Sequence, residues 1–390
     1  MQEIRARHRS QTVRVGLGAV LALLLVVSVA CGNSTSPQGK QPTTTSLGNG
    51  TTADSNTGEV QSTGFNLADF AGLNANIKGS GSSFQQNYNL ATIDLLHTVL
   101  PELKITYAGG GSGQGKSDLA DGVVDFAGTD SLVKPEDAAK YNGQVLYFPT
   151  VVAPITVSYE LDGVHELRLD GPALAQIFSA KITSWNDEAI AVLNPQTELP
   201  AIPITVCRRA DASGTTTNFT KFLDAAGGAD WPYGSSDTVD WPSGTQGAQG
   251  NGGVAACIAK KSGSIGYVDF SDAKAQGLAG ALIQNSAGEY VEASLSGASA
   301  AVEGAVIGDD LTFDPINAPG SDAYPITSPT WIIVLDTQRD STKAEALRAL
   351  LSFILTDGQD VTFTQSLNYA PLPAELATRA LAQIDQIKVG

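Results

Sequence analysis

Arg209–Thr215 reads Arg-Ala-Asp-Ala-Ser-Gly-Thr and joins a β-prone run, Ile202–Cys207, to a helix candidate, Thr215–Ala226. The first N–H groups of a helix have no intrahelical partner, and the helix dipole adds partial positive charge there. Glycine lets the backbone approach an anion closely, and Ser or Thr adds a hydroxyl donor. Arg209 adds a planar fork of donors suited to oxyanions. The stretch therefore predicts a strand–turn–helix unit that can hold an anion.

Two more turns place hydroxyls and glycines where a helix is predicted to start. Gly79–Phe84 precedes an apolar helical pattern formed by Phe84, Tyr88, Ala91, Leu95 and Val99. Tyr107–Gly115 lies between the strand candidate Leu103–Ala108 and a helix candidate at Lys116–Asp121. A single serine before a helix usually acts only as an N-cap. Three such turns, one of them with an arginine, favour a shared anion site.

Strand-like and helix-like stretches alternate along the rest of the chain, which indicates an α/β fold. Further strand candidates are Val145–Leu161, which Pro149 and Pro154 interrupt, Ser264–Phe270 and Trp331–Leu335. Further helix candidates are Gly171–Phe178 and Ser341–Thr356.

Composition narrows the classes of function. The 390-residue chain carries a formal net charge of −17, which argues against nucleic acid as a partner. A small anion stays possible, because local dipoles can bind it on an acidic protein. The three cysteines form no C-x-x-C pair or Cys/His cluster, so we expect no structural metal and no cofactor. No P-loop is complete, and no Gly-x-Ser-x-Gly stands in register, so neither a nucleotide site nor a Ser-His-Asp hydrolase is supported.

The N-terminus predicts export. Basic residues up to Arg14 precede the uncharged, largely apolar run Val15–Ala30, which is too short for an ordinary membrane span and typical of a signal peptide, residues 1–30. Ser28-Val29-Ala30-Cys31 is similar to a lipobox, in which the cysteine becomes the lipidated mature N-terminus, carrying diacylglycerol and palmitate. The alternative is an uncleaved N-terminal anchor. Residues 31–64 are then the lipidated cysteine and a polar, flexible tether.

Cys207 and Cys257 are the two cysteines left once Cys31 is lipidated. In an oxidising compartment such a pair indicates a disulfide, and the alternative is two buried thiols. A disulfide there would close a loop of about 50 residues and contribute about 4 kcal/mol in the chain-entropy description.

The order of these segments resembles the PstS-type phosphate-binding proteins of the bacterial ABC phosphate-uptake system. The resemblance spans residues 75–385, and its most specific part is Arg208–Thr215 followed by Gly263–Phe270. It implies a two-lobed periplasmic-binding-protein fold of type II, with two chain crossings between the lobes. The crossings would lie near Pro149–Val157 and Tyr324–Thr327. Lobe one would then be residues 65–151 plus 326–390, and lobe two residues 152–325.

The resemblance also implies a set of phosphate-binding residues. Lobe one would contribute Ser83, the Phe84 N–H, Ser112 and Asp130. Lobe two would contribute Arg209, Ser213, the Gly214 N–H and Thr215, with Asp211 holding Arg209 in place. Two positions depart from the family pattern: Ser83 stands where Thr is usual, and Gln85 stands where Pro is usual.

The expected function is capture of inorganic phosphate outside the cytoplasm and its delivery to an ABC permease and, through it, to the ATPase. The protein would be a non-enzymatic lipoprotein, attached to the outer face of the cytoplasmic membrane by its lipid alone. Three alternatives stay open. The ligand could be another tetrahedral oxyanion, the same site could serve a phosphomonoesterase, or the protein could be a sensor or adhesin with a vestigial site. An enzyme would need a nucleophile with an adjacent base, or metals, and the sequence displays neither.

Overall fold

The computed structural model describes residues 66–390. The predicted signal peptide (1–30), Cys31 and the predicted tether (31–64) lie outside the described residues. None of the helices within residues 66–390 combines the length and the apolar character that a membrane span requires.

Strands and helices alternate through the described residues, as the α/β prediction requires. The strands are β1 (Ala75–Gly81), β2 (Leu103–Gly109), β3 (Phe126–Thr129), β4 (Val145–Glu160), β5 (Arg168–Leu169), β6 (Thr205–Arg209), β7 (Gln246–Ala248), β8 (Ser264–Asp269), β9 (Ala279–Gly280), β10 (Leu282–Gln284), β11 (Tyr290–Val291), β12 (Thr327–Leu335), β13 (Thr337–Gln338) and β14 (Lys388–Val389). The helices are α1 (Gln86–Val99), α2 (Ser112–Ala120), α3 (Gly171–Phe178), α4 (Glu188–Ala191), α5 (Gly214–Gly227), α6 (Gly250–Ala259), α7 (Phe270–Ala275), α8 (Leu295–Glu303), α9 (Ser341–Leu355), α10 (Val361–Ser366) and α11 (Ala374–Gln383).

One long strand, β4, connects two half-sheets. The strand order is β2-β1-β3-β12-β4-β8-β6-β7, with β9 also paired to β4. The first part of β4 pairs antiparallel with β12 as far as Pro154, which lies opposite Thr327. From Ile155 onward β4 pairs with β8 instead. We call the strands β2, β1, β3 and β12 the first half-sheet, and β8, β6, β7 and β9 the second half-sheet.

The expectation that two prolines interrupt β4 was wrong, since β4 runs without a break for 16 residues. Proline lacks an N–H and is therefore tolerated in a strand where the pairing is irregular. Pro149 lies opposite Trp331, beside a register shift between Pro329 and Trp331. Pro154 is the last residue paired with β12, immediately before β4 changes partner. Both prolines thus mark changes in the ladder rather than its end.

Parallel pairing brings the predicted turns to common edges of the two half-sheets. In the first, β1 is parallel to both β2 and β3, and Gly81 lies opposite Gly109 and Gly128. In the second, β6 is parallel to β7 and β8, and Arg209 lies opposite Ala248. In such sheets the loops after the carboxyl ends of the strands form the ligand-binding crevice.

The apolar face predicted for α1 is correct at Phe84 and Tyr88, which are buried, and wrong towards the C-terminal end of the helix. Leu95 and Val99 are 40% and 51% exposed, whereas Tyr88, Thr92 and Leu96 are buried. Tyr88 packs against Tyr369 with ring centroids 6.0 Å apart, so distant residues decide which face of the helix turns inward. Spacing alone does not distinguish Leu95 from Leu96 as the buried residue, because α1 carries apolar residues on neighbouring faces.

Gln85 fixes the start of α1 without the proline usual in the family. Its side chain is fully buried, and Nε2 donates to the carbonyl oxygens of Trp331 at 3.0 Å and Thr129 at 3.3 Å. Its Oε1 accepts from Asn89 Nδ2 at 3.3 Å. These hydrogen bonds attach the start of the helix to β12 and to the end of β3, which is an alternative to stiffening by proline.

A disulfide joins Cys207 in β6 to Cys257 in α6. It connects the strand that ends at Arg209 to the helix that packs on that strand, so both elements are held together across a separation of 50 residues. The other predicted elements differ mainly at their ends; α2 begins at Ser112 rather than near Lys116, so that Gly113 and Gly115 are helical.

Candidate functional site

The turns of the two half-sheets meet directly. A Cβ atom added to Gly214, the first residue of α5, would lie 2.6 Å from Ser112 Oγ and 2.7 Å from Asp130 Cβ. The Gly113 N–H donates to the Ala212 carbonyl oxygen at 3.0 Å. Gly111 has a φ of 93° and also approaches this loop, where a side chain would collide with Asp211 and the Ala212 carbonyl oxygen. Glycines in both turns therefore allow close contact between the half-sheets.

On the first half-sheet, Asp130 forms the centre of the site. Ser82 Oγ donates to both of its carboxylate oxygens, at 2.6 and 2.7 Å, and Ser112 Oγ lies 3.3 Å from Oδ2. Asp130 is only 2% exposed. Burial raises its pKa to about 6, although hydrogen bonding by Ser82 and the charge of Arg209 oppose the rise. A carboxylate in this position can accept a proton from a ligand.

Phe84 lies beside this cluster. Its N–H donates to Ser82 Oγ at 3.0 Å, and its carbonyl oxygen accepts from Tyr369 Oη at 2.6 Å. The backbone at the start of α1 is thereby held on both sides.

On the second half-sheet, Arg209 and Asp211 form a buried ion pair. Arg209 Nε donates to Asp211 Oδ1 at 2.8 Å, and Nη2 donates to Oδ2. Burial alone would raise the pKa of Asp211, but the hydrogen bond and charge of Arg209 bring it below its usual value. Nη1 lies 3.4 Å from Thr215 Oγ1. The guanidinium plane is therefore fixed, with one edge held by Asp211 and the other directed towards Thr215.

Ser213 caps α5 and sets its position. Its hydroxyl accepts from the Thr216 N–H at 3.2 Å, and its own N–H donates to the Asp237 carbonyl oxygen at 2.9 Å. Gly214 and Thr215 follow as the first helical residues, at the positive end of the helix dipole.

The structure thus brings the predicted residues of both half-sheets into one cluster, and it adds two that the sequence reasoning missed. Ser82 belongs to the same turn as Ser83, and its role depends on which hydroxyl points at Asp130. Asn251 is the second residue of α6, and its side chain donates to Ser83 Oγ at 3.2 Å and to Thr215 Oγ1 at 3.1 Å. The run Gly250-Asn251-Gly252-Gly253 was the available signal, since it is a fourth glycine-containing helix start.

A salt bridge also spans the two half-sheets near the site. Lys116 Nζ on α2 lies 3.4 Å from Asp237 Oδ2, beside the cap of α5, and 3.0 Å from Ser131 Oγ. Burial lowers the pKa of Lys116, while the Asp237 carboxylate acts in the opposite direction. Within the described part of the chain, no group of His, Cys, Asp and Glu side chains is arranged to hold a metal ion.

Two half-sheets that share one strand and enclose a buried polar cluster define a two-lobed solute-binding protein with the type II periplasmic-binding-protein fold. The family model of the PBP superfamily domain matches residues 39–358. Among solved structures, the phosphate-bound periplasmic phosphate-binding protein PfluDING superposes with a TM-score of 0.65, at 21% identity over 79% of this chain and 94% of that chain. A phosphate-binding protein from Stenotrophomonas maltophilia superposes with a TM-score of 0.62, at 20% identity over 79% and 93% of the two chains.

Sequence relatives narrow the family further. The chain is 36% identical to phosphate-binding protein PstS 3 of Mycobacterium leprae, over 78% of this chain and 84% of the relative. It is 35% identical to phosphate-binding protein PstS 2 of Mycobacterium tuberculosis, over 80% and 87% of the two chains. The chain therefore belongs to the PstS family of the PBP superfamily, as the order of its motifs predicted.

Proposed function

We propose that this protein captures inorganic phosphate outside the cytoplasm and delivers it to an ABC permease, which is coupled to its ATPase. The main support for the proposal is that Asp130, a hydrogen-bond acceptor, lies beside hydrogen-bond donors that come from both half-sheets. Arg209 and the start of α5 supply positive charge and N–H groups, while Ser112 lies against Gly214. The names of the PstS relatives support the same ligand.

Phosphate suits such a site because it is both a hydrogen-bond acceptor and, through its P–OH, a donor. Near neutral pH it still carries at least one proton, which an ionised carboxylate can accept. Its remaining oxygens can accept from Arg209, from hydroxyls and from helix N–H groups. We assign Ser83, the Phe84 N–H, Ser112 and Asp130 to one side of the anion. The opposite side comprises Arg209, Ser213, the Gly214 N–H and Thr215, with Asp211 supporting Arg209.

The proposed lobes are residues 65–151 plus 326–390 and residues 152–325. The change of pairing partner within β4, after Pro154, supports one crossing, and the start of β12 at Thr327 supports the other. Because the proposed ligands come from both lobes, phosphate would favour the closed state through its differential affinity.

The proposal is tested by calorimetric titration of phosphate and sulfate into protein stripped of bound anion. Tight, saturable phosphate binding and much weaker sulfate binding are expected. Small-angle scattering on the same sample should give a smaller radius of gyration with phosphate. Absence of phosphate binding by folded, stripped protein would refute the function, and an unchanged radius would refute closure.

The Lys116–Asp237 salt bridge is expected to hold the lobes closed. Replacing Lys116 by Met removes an ion pair between them and should accelerate phosphate dissociation about fivefold, which corresponds to about 1 kcal/mol. Lys181→Met is the matched control, because the salt bridge between Lys181 Nζ and Asp230 Oδ1, at 3.1 Å, lies within residues 152–325. Stopped-flow release of phosphate measures both variants. Equal dissociation rates would show that Lys116 does not restrain the lobes.

We also propose that the protein is anchored through lipid on Cys31 at the outer face of the cytoplasmic membrane. The order of basic, apolar and small residues before Cys31 supports this. Cys31→Ser should release the protein into the medium or leave the precursor unprocessed. Mass spectrometry of the membrane-bound wild-type protein is decisive, since an unmodified Cys31 would contradict the anchor.

A further inference from the structure

We propose that Asn251 is a positioning residue that directs the hydroxyl protons of Ser83 and Thr215 towards the bound anion. The inference rests on the proposed function and goes beyond it. Asn251 would set the direction in which the two hydroxyls donate, without itself needing to contact the ligand.

The side-chain amide of Asn251 has one permitted orientation. Asn251 is fully buried, and its Oδ1 accepts from the Asp269 N–H at 3.3 Å. This places Nδ2 on the opposite side, where its two hydrogens are directed to Ser83 Oγ at 3.2 Å and Thr215 Oγ1 at 3.1 Å. All the hydrogen-bonding groups of the amide are therefore used, and a flipped amide would bring its oxygen to the two hydroxyls and its NH2 group to the Asp269 N–H.

Each of the two hydroxyl oxygens also receives a second donor. Ser83 Oγ accepts from the Asn251 backbone N–H at 3.2 Å, and Thr215 Oγ1 faces Arg209 Nη1 at 3.4 Å. A hydroxyl has two acceptor lone pairs and one proton. With both lone pairs facing donors, the remaining capacity of each hydroxyl is to donate. Within residues 66–390, neither of these hydroxyls donates to a protein acceptor.

The serines around Asp130 behave in the opposite way. Ser82 Oγ donates to the Asp130 carboxylate, and Ser112 Oγ lies within hydrogen-bond distance of it as well. The hydroxyl proton of Ser82 is therefore directed to Asp130, whereas Asn251 leaves the hydroxyl protons of Ser83 and Thr215 free for the anion. A ligand that presents unprotonated oxygens to Ser83 and Thr215 and a proton to Asp130 satisfies both sides.

The orientation of the Ser83 hydroxyl by Asn251 also depends on lobe closure. Thr215 and Asn251 both lie in residues 152–325, whereas Ser83 comes from the other proposed lobe. The hydrogen bonds between Asn251 and Ser83 can form only when the lobes meet, so Ser83 becomes oriented on closure. Thr215 keeps its partners in either state.

The test is a set of phosphate titrations on full-length protein. Asn251→Ala should weaken phosphate binding about tenfold, because two donors lose their orientation. Asn251→Asp should weaken it further, since a carboxylate accepts both hydroxyl protons and adds negative charge beside the anion. In the double background Ser83→Ala/Thr215→Val, adding Asn251→Ala should change the affinity less than about twofold, because the residues through which it acts are gone.

Asn194→Ala is the matched control for loss of a buried asparagine. Asn194 Nδ2 also donates twice, to the Arg168 and Ile190 carbonyl oxygens, each at 2.9 Å, and its Oδ1 accepts from the Arg168 N–H. Its replacement should lower the melting temperature without changing phosphate affinity. If Asn251→Asp does not fold, the alanine series decides the question.

The outcomes separate this inference from the proposed function. A wild-type protein that does not bind phosphate overturns both. A wild-type protein that binds, with Asn251→Ala equally tight, overturns the role of Asn251 alone. An equal penalty for Asn251→Ala in the wild-type and double backgrounds would also overturn it, because the residue would then act generally on the fold.

Discussion

Arg209→Met should raise the phosphate dissociation constant by a factor of about 100 or more. Removing one member of a buried, hydrogen-bonded charge pair typically costs 2–5 kcal/mol or more, and much of this comes from the charge left behind. Here the remaining group is Asp211, which would lose both hydrogen bonds from the guanidinium. Its carboxylate would then repel the anion that Arg209 attracts. Calorimetric titration measures the loss.

Three comparisons make the Arg209 result specific. Ser213→Ala removes a neutral hydroxyl and should cost less, because charge-assisted hydrogen bonds are about twice as strong as neutral ones. The double variant Arg209→Met/Asp211→Asn should recover part of the affinity by removing the unpaired carboxylate. Arg168→Met serves as the control, since the Arg168–Glu166 pair is largely exposed and such pairs contribute little. A loss no larger for Arg209→Met than for Ser213→Ala would place Arg209 outside the site.

Asp130→Asn should reduce the ratio of phosphate to sulfate affinity by about 100-fold. Sulfate is fully deprotonated, so it meets Asp130 as acceptor against acceptor, and like charges at an interface cost several kcal/mol. Phosphate instead donates its proton to the carboxylate, and a site that pairs a ligand's donor rejects an analogue that lacks it. Asn can donate as well as accept, so sulfate should gain. An unchanged ratio in folded Asp130→Asn protein would exclude Asp130 as the selecting residue.

The same selectivity should depend on pH. Burial raises the pKa of Asp130 to about 6, from the ordinary value of 3.8. As the pH falls through about 6, Asp130 gains a proton and can donate it to sulfate, so the phosphate-to-sulfate ratio should decrease towards low pH. Asp130→Asn provides the control, because its remaining pH dependence reports the protonation of phosphate itself. Parallel slopes for the two proteins would contradict a titrating Asp130.

The local sequence was sufficient to predict the strand–turn–helix units. Arg209, Ser213 and Thr215 lie within seven positions, and the structure places α5 directly after Ser213, whose hydroxyl caps it. N-caps, helix starts and glycine turns depend on neighbours a few residues away, so they can be predicted from short segments. The resemblance to PstS proteins, carried by the order of these segments, then predicted the family and the two-lobed fold.

The burial of individual helix residues and the pairing of strands could not be predicted from short segments in this way. The burial of Leu96 rather than Leu95 depends on how α1 packs against other elements such as α9, and the continuity of β4 through Pro149 depends on a register shift opposite it. Both are decided by partners that are remote in sequence. Propensity and periodicity describe a segment by itself, and tertiary contacts override them when they bury more surface.

The chain's sequence by itself determined which residue types stand at each helix start, and from these it predicted an anion site with Arg209 and several hydroxyls. Only the tertiary structure decided the acceptor to which each hydroxyl donates its hydrogen bond. Ser82 rather than Ser83 donates to Asp130, and Ser83 instead accepts from Asn251, 168 residues further along the chain. A hydroxyl rotates freely about its C–O bond, so its direction is set by whichever donors and acceptors the fold brings within about 3 Å.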